Sequence, residues 1–177
     1  MRRLTLIRHA VTDWNLAGRF QGVADVPLND EGRRQARRLE RYVAGLEDDA
    51  KVYASPLIRA VETARLAFPG RDLRLDERLQ ELNFGRFEGK TQAENQADPA
   101  WDVWMTDPYE LAPPGGESYS QLRERAAEWM REVAADGPAH VVAVTHSGTI
   151  QMLLADVLGV EKVRWRKRIY LRHASIS

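Results

Sequence analysis

The stretch Leu4-Thr5-Leu6-Ile7-Arg8-His9 decides how the rest of the chain is arranged. Residues 4–7 form a short apolar run, which predicts a buried β-strand, and a cation and an imidazole follow it at once. In an open α/β sheet, ligands bind in the crevice beyond the carboxyl ends of the strands. The sequence therefore predicts that Arg8 and His9 lie at the ligand-binding edge of a sheet.

Composition limits the possible classes of protein. The chain has 177 residues, 26 basic and 26 acidic, and no cysteine. This length favours one catalytic domain, residues 1–177. Zero net charge gives no reason to expect a nucleic acid or an anionic membrane as partner. Without cysteine, disulfide frameworks, thiolate metal sites and cysteine nucleophiles are excluded. No apolar run approaches the roughly 20 residues that span a bilayer, and no signal-peptide core follows Met1, so we expect a cytoplasmic protein with no membrane partner.

Alternating strands and helices predict the fold class. Residues 141–144 are continuously apolar, which is typical of a central parallel strand buried on both faces. Further strands are predicted at 51–54, 72–75 and 169–173. Amphipathic helices are predicted between them, beginning at Asn29 or Asp30, at Ser55-Pro56, at the capping box that opens with Ser118, and near Ile150. The expected fold is an α/β three-layer sandwich, with a mostly parallel central sheet flanked by helices.

A less regular segment interrupts this alternation. Residues 77–89 carry carboxylates and two glycines without a clean period, which predicts an ordered functional loop. A short helix around Trp101 and Trp104 follows, and together these residues form a lid-like insertion at about 80–117. The aromatic side chains of this segment are compatible with a substrate-facing wall and equally with a core; they are Phe84, Phe87, Trp101 and Trp104.

Two histidines end apolar strands in the same way. His146 follows the run 141–144 as His9 follows residues 4–7, and parallel strands bring both histidines to one edge of the sheet. A lone histidine at a strand end is usually structural, but Arg8 and Arg59 occupy comparable positions. Converging guanidinium groups need an anionic partner, and a phosphate matches their forks bidentately. The helix N-terminus that we expect at Ser55-Pro56 would add backbone N–H donors for the same anion. The pattern therefore predicts a phosphate site.

Four ordered blocks together resemble the histidine phosphatase superfamily, in its phosphoglycerate mutase-like branch. They are Leu6-Ile7-Arg8-His9 with Thr12, Trp14 and Asn15; Ser55-Pro56-Leu57-Ile58-Arg59-Ala60 with Thr63; Leu79-Gln80-Glu81-Leu82 with Gly85 and Glu88; and Thr145-His146-Ser147-Gly148. The segment Pro114-Gly115-Gly116-Glu117-Ser118 is also similar to one in small phosphatases that act on α-ribazole phosphate.

The resemblance assigns the phosphoryl-binding roles. It implies that His9 is the nucleophile and becomes phosphohistidine, with Arg8, Arg59 and His146 binding and neutralising the phosphoryl group. Asn15 is expected to touch the phosphate. Ser147 and Gly148, from the last block, are expected to complete the phosphate-binding set. A nucleophilic histidine must be neutral, and neighbouring cations disfavour its protonated form.

The resemblance also assigns the proton donor. Glu81 is expected to act as general acid and later as general base, with Glu88 as a competing candidate that the pattern places in a structural role. The sequence departs from the family's usual Gly-Glu after the nucleophile, where Ala10-Val11 stands. The phosphate-binding residues are unaffected by this change, and the sequence gives no basis for a polar substrate contact there.

The sequence therefore favours a metal-independent phosphomonoesterase for small phosphorylated metabolites. No metal and no cofactor are expected. The alternative is a phosphoglycerate mutase primed by 2,3-bisphosphoglycerate, and a remote alternative is a non-catalytic phosphate-binding module. The expected partner is a small-molecule phosphate ester, with no nucleic acid, and the chain is expected to be a monomer or homodimer. We interpret the basic cluster 164–168 as a surface turn, the arginines of 33–41 as a solvated helix face, and His140 and His173 as structural.

Overall fold

The computed structural model describes residues 3–43, 45, 50–136, 139–160 and 171–176. The strands are β1 (Arg3–Arg8), β2 (Lys51–Ala54), β3 (Leu73–Leu75) and β4 (His140–Thr145). The helices are α1 (Asp13–Leu16), α2 (Asp30–Val43), α3 (Ile58–Ala67), α4 (Gln92–Asn95), α5 (Pro99–Thr106), α6 (Tyr119–Asp136) and α7 (Ser147–Val157). Two short 3-10 helices are Glu77–Leu79 and Gly85–Phe87.

The described strands form one parallel sheet in the order β1-β4-β2-β3. All six residues of β4 are buried, which confirms the central strand predicted at 141–144. Arg8 pairs with Thr145, and Ala54 pairs with Val144, so three strands end at the same edge. Because β4 lies between β1 and β2, the residues that follow all three strands meet at that edge.

Helices cover both faces of the sheet and confirm the three-layer fold. On one face, apolar side chains of α2 and α3 pack against β1, β2 and β4. The small residues Ala60, Ala64 and Ala67 let α3 approach the sheet closely. On the other face, α6 and α7 bury Trp129, Val133 and Leu153 against the same strands, and these apolar faces follow the periodicity of the sequence.

The segment at about 80–117 packs beside this second face. Its aromatic residues Phe87, Trp101 and Trp104 are buried, in contact with apolar side chains of α6 and α7. Phe84 is only partly buried at the edge of the same cluster. The loop at 77–89 contains the two 3-10 helices rather than a strand or an α-helix, as its lack of period predicts. No helix among the described residues is long and apolar enough to cross a membrane.

The beginning of α3 differs from the prediction. The helix starts at Ile58, not at Ser55-Pro56, and its N-cap residue Leu57 makes no side-chain cap. The Ser55 hydroxyl accepts the Leu57 N–H at 3.3 Å and bonds the ring of His146 at 2.8 Å. The first N–H of the helix donates to the carboxylate of Asp25 at 2.6 Å. The Asp25 carboxylate therefore occupies the first N–H of this helix, and anion binding by its other N–H groups stays a prediction.

The C-terminal segment also differs from the prediction. Residues 161–170 lie outside the described part of the chain, and with them the basic cluster 164–168 and the start of the strand predicted at 169–173. Leu171–His173 do not form a strand, and an isolated antiparallel bridge joins Ile176 to Ile7. The Ala174 N–H donates to the carbonyl of Arg8 at 3.1 Å, so this segment lies against the end of β1.

Candidate active site

A cavity of about 230 Å³ opens at the edge where the strands end. Five of the eight predicted site residues line it: Arg8, His9, Asn15, Arg59 and Glu81. The other described residues of its wall are Gly18, Arg19, Phe20, Gln21, Gly22 and Phe84. Its wall therefore combines three guanidinium groups, one imidazole, one carboxylate and two aromatic rings.

His9 presents one nitrogen to this cavity in a defined state. Its side chain is only 4% exposed, and its Nδ1 lies 2.7 Å from the carbonyl oxygen of Ala10. A carbonyl only accepts, so Nδ1 carries the hydrogen and Nε2 keeps a lone pair. Burial and the nearby Arg59 and Arg8 guanidinium groups hold the pKa of His9 well below its usual range. His9 is therefore neutral at physiological pH, as a nucleophile must be.

Arg59 is a fully buried cation that is only partly satisfied by protein. Its Nη1 donates to the carbonyl of Ala24 at 2.8 Å, and its Nη2 donates to those of Gln21 at 3.0 Å and Gly22 at 2.6 Å. Burial lowers its pKa to about 10, against the opposing effect of nearby carboxylates that include Glu81, so it stays charged at neutral pH. Of its five N–H groups, Nε–H and one on Nη1 remain for a ligand.

Arg8 and Asn15 are held at the cavity by their own local structure. Arg8 ends β1, and its Nη1 donates to the Leu171 carbonyl at 2.7 Å. Asn15 closes a capping box at the start of α1: its Oδ1 accepts the Thr12 N–H at 3.1 Å, and its N–H donates to the Thr12 hydroxyl. With Oδ1 engaged, the Asn15 amide presents its NH₂ group as a donor for an anion.

Glu81 lies at the far side of the cavity with its carboxylate anchored twice. Oε1 accepts the Leu82 N–H at 2.9 Å, and Oε2 accepts the Gly148 N–H at 3.1 Å. A Cβ on Gly148 would overlap Oε1 of Glu81, so a larger residue there would displace this carboxylate. Gly148 does not line the cavity, and its N–H holds the acid; its predicted contact with the phosphate stays a prediction.

Glu88 serves the surrounding loop, as its predicted structural role requires. Its two carboxylate oxygens accept the N–H groups of Val23 at 2.9 Å, Ala24 at 2.7 Å and Phe84 at 3.1 Å. It thereby ties the loop after Gly22 to the loop that follows Glu81.

His146 and Ser147 lie behind the cavity wall. The ring of His146 is fully buried, 5.1 Å from that of His9, and its Nε2 bonds the Ser55 hydroxyl. Burial and then Arg59 and His9 hold the pKa of His146 well below its usual range. His146 is therefore a neutral ring that backs the nucleophile. Its predicted contact with the phosphoryl group stays a prediction, and Ser147 begins α7 without lining the cavity.

Comparison with known proteins places this geometry in a family. The family model of the histidine phosphatase superfamily (branch 1) matches residues 4–177. The chain belongs to this superfamily. A glucosyl-3-phosphoglycerate phosphatase of Mycobacterium tuberculosis is 34% identical over 177 residues, covering 93% of this chain and 78% of the relative. Phosphoserine phosphatase 1 of Hydrogenobacter thermophilus is 30% identical over 166 residues, covering 91% of this chain and 78% of the relative.

A solved structure shows the same fold. The structure of a mycobacterial glucosyl-3-phosphoglycerate phosphatase complexed with VO3 superposes with a TM-score of 0.87 at 32% identity, covering 99% of this chain and 91% of that one. The family and its phosphatase relatives confirm the predicted enzyme class. This chain is a histidine phosphatase.

The structure adds residues to the site of this histidine phosphatase that the sequence did not mark. His173, whose structural role stays a prediction, lies edge-on to the nucleophile without lining the cavity, with ring centroids 5.8 Å apart. Burial and Arg8 lower its pKa to about 4. Arg19, Phe20 and Gln21 also line the cavity, from the segment between Gly18 and Gly22. Of the four aromatic residues left open above, only Phe84 faces the cavity.

The departure from the family pattern at Ala10-Val11 has a simple structural consequence. Both side chains are buried, with 0% and 5% exposure, and the Val11 N–H donates to the Gln35 side chain at 3.2 Å. The valine side chain therefore belongs to the core and offers no contact to a substrate.

Proposed function

We propose that this histidine phosphatase is a phosphomonoesterase that works through a phosphohistidine on Nε2 of His9. The observation that carries the proposal is the state of that imidazole. Its Nδ1–H is fixed on the Ala10 carbonyl, its pKa is held low, and its remaining nitrogen belongs to a cavity shared with two guanidinium groups. This combination supplies a nucleophile and the charge that a phosphoryl group needs.

In the first half-reaction, Arg8 and the free N–H groups of Arg59 bind the phosphoryl oxygens, and the Asn15 amide donates a further hydrogen bond. The His9 Nε2 lone pair forms the N–P bond while the bond from phosphorus to the ester oxygen breaks. Fixed cations stabilise the charge spread over the equatorial oxygens in this transition state. Glu81, in its protonated form, gives its proton to the departing oxygen, and an alcohol leaves.

In the second half-reaction, the Glu81 carboxylate takes a proton from water. The water oxygen bonds to phosphorus, the N–P bond breaks, and inorganic phosphate and neutral His9 are restored. Protein side chains fill every one of these roles. The described residues hold no group of three or more His, Asp or Glu placed to bind a metal ion. We therefore propose that turnover needs no metal and no cofactor.

We propose a small phosphorylated metabolite as substrate. The cavity is smaller than the roughly 300–1,000 Å³ of sites for drug-sized ligands. Phe20 and Phe84, with ring centroids 5.0 Å apart, give an apolar face for the part of the substrate beyond the phosphate. The relatives that act on phosphoserine and on glucosyl-3-phosphoglycerate support testing these esters and 3-phosphoglycerate first.

The test has two parts, both with chelator present. In the first, p-nitrophenyl phosphate is mixed with the enzyme and quenched in alkali, which preserves phosphohistidine; the expected phosphorylated residue is His9. In the second, 3-phosphoglycerate is supplied with and without 2,3-bisphosphoglycerate, and phosphate and 2-phosphoglycerate are followed together. Phosphate release alone supports the proposal, whereas rapid primed isomerisation would make the enzyme a mutase. Loss of turnover in chelator would refute metal independence.

A further inference from the structure

The loop that carries Glu81 has little regular structure to hold it. It follows the 3-10 helix Glu77–Leu79, and Gln80 already has extended backbone angles. General acid catalysis requires the carboxyl group within hydrogen-bond reach of the leaving oxygen, at about 2.6–3.2 Å. Some other part of the molecule must therefore fix the position of this loop.

Side chains of α6 and β4 bind the carbonyl groups of four successive residues, 78–81. Arg125 of α6 binds three of them: its Nη1 donates to the carbonyls of Arg78 and Gln80, both at 2.8 Å, and its Nη2 donates to that of Glu81 at 3.0 Å. The hydroxyl of Thr145 donates to the remaining carbonyl, that of Leu79.

The other N–H groups of Arg125 extend this support to the far side of the acid. Nε donates to Oε2 of Glu117 at 3.1 Å, and Nη2 donates to Oε1. Glu117 in turn accepts the Asn83 N–H at 3.1 Å and donates its own N–H to the Asn83 carbonyl at 2.9 Å. All five N–H groups of the guanidinium are thus engaged within the protein. Arg125 has no donor left for a substrate, and its contacts lie on both sides of Glu81.

We propose that Arg125 is a positioning residue for the general acid: its five-donor fork holds residues 78–83 so that the Glu81 carboxyl group reaches the leaving oxygen. The inference rests on the proposed role of Glu81. A lysine cannot substitute for it, because an ammonium group offers three donors on a flexible stem, whereas the guanidinium offers five in a rigid plane. A positive charge at this position is therefore not sufficient to hold residues 78–83.

The experiment compares kcat/KM for two leaving groups, because this constant covers only the steps up to departure of the alcohol. The substrates are p-nitrophenyl phosphate, whose leaving group hardly needs a proton, and the best alkyl ester among phosphoserine, 3-phosphoglycerate and glycerol phosphate. The variants are Arg125→Ala, Arg125→Lys and the reference Glu81→Gln. The matched control is Arg123→Ala on the same helix, which removes contacts to Asp156 and Tyr109 only.

The ratio of kcat/KM for the alkyl ester to kcat/KM for p-nitrophenyl phosphate should fall at least tenfold in Arg125→Ala and in Arg125→Lys. It should also fall in Glu81→Gln, and in Arg123→Ala it should stay within twofold of the wild-type ratio. In the double variant of Arg125→Ala with Glu81→Gln, the ratio should fall no further than in Glu81→Gln alone. If Arg125→Ala does not fold, the ratio measured in Arg125→Lys tests the inference.

Equal losses on both substrates would mean that Arg125 only stabilises the fold, and an unchanged ratio in Arg125→Lys would mean that charge is enough. Either result overturns the inference while Glu81→Gln still discriminates between the esters. If Glu81→Gln itself does not discriminate, the acid role in the proposed function fails, and the inference fails with it.

Discussion

The two buried histidines at the site make the folded protein sensitive to mild acid. His9 and His146 are 4% and 0% exposed, and burial with the Arg59 guanidinium holds the pKa of each well below 6.5. In the unfolded chain each imidazole takes up a proton as the pH falls through about 6.5, whereas in the folded protein it does not. Stability is therefore greatest above pH 6.5 and falls as the pH drops below it.

The size of this effect follows from proton linkage. Between pH 7 and pH 5, protonation of one unfolded-state histidine with a pKa of 6.5 lowers the free energy of unfolding by at most about 2 kcal/mol, so two histidines lower it by at most about 4 kcal/mol. His173, with its pKa lowered to about 4, acts in the same direction over the same range. A loss of this size is a large fraction of the roughly 5–15 kcal/mol that stabilises a typical domain.

Urea unfolding at pH 7, 6 and 5 and constant salt measures this loss, with tryptophan fluorescence and circular dichroism as two probes of one transition. The variant His9→Gln removes one of the two groups. The decrease in its free energy of unfolding between pH 7 and pH 5 should therefore be smaller than that of the wild type by about 2 kcal/mol. A free energy of unfolding that does not change between pH 7 and 5, or an equal pH dependence in the variant, would refute the reasoning. It would mean that the folded protein protonates His9 over the same pH range as the unfolded chain, so that the proposed nucleophile would lose its lone pair in mild acid.

Further predictions concern single side chains. His9→Ala should abolish turnover with unchanged circular dichroism, and near-normal hydrolysis would contradict the mechanism. Glu81→Gln should lower kcat/KM on alkyl phosphates about 10²-fold or more, with little effect on p-nitrophenyl phosphate; equal losses would exclude the acid role. Gly148→Ala should show the same dependence on leaving group, because the added methyl group displaces the Glu81 carboxylate, and a wild-type ratio would contradict that contact. Trp129→Ala should lower the free energy of unfolding by about 3–5 kcal/mol, measured in urea, because the ring is fully buried; a loss below 1 kcal/mol would be inconsistent with that packing.

Local sequence patterns predicted the elements whose structure depends on nearby residues. The uninterrupted apolar run at 141–144 indicated a strand covered on both faces, since a half-exposed strand would alternate. The capping box that opens with Ser118 is present, with the Ser118 N–H donating to the Gln121 side chain at 2.8 Å. Arg8 and His9 lie at the predicted edge because β1 ends there. In each case neighbouring residues carry the pattern that made the prediction, although the strands themselves pair over long distances, as Arg8 does with Thr145.

The predictions that were wrong depend on contacts between distant residues. Ser55 has the side chain of a helix cap, but its hydroxyl bonds His146, 91 positions away, while Asp25 takes the first N–H of α3. The contact of His173 with His9 was likewise not predicted, because no local pattern indicates it. His173 reaches His9 only because the Ala174 N–H bonds the end of β1. Such contacts follow from the tertiary structure and cannot be predicted from local patterns in a single sequence.

The same burial explains both the proposed reactivity and the expected acid sensitivity. A low pKa keeps the His9 imidazole neutral and nucleophilic, but it also means that the folded protein resists a proton which the unfolded chain accepts. Arg59 is a buried cation at the same site. Three backbone carbonyls accept hydrogen bonds from its guanidinium group, and two of its N–H groups are left for an anion. A bound phosphate would complete this fork and favour the folded state. Inorganic phosphate should therefore raise the urea midpoint of the wild type, and raise it less in a variant that lacks the Arg59 guanidinium.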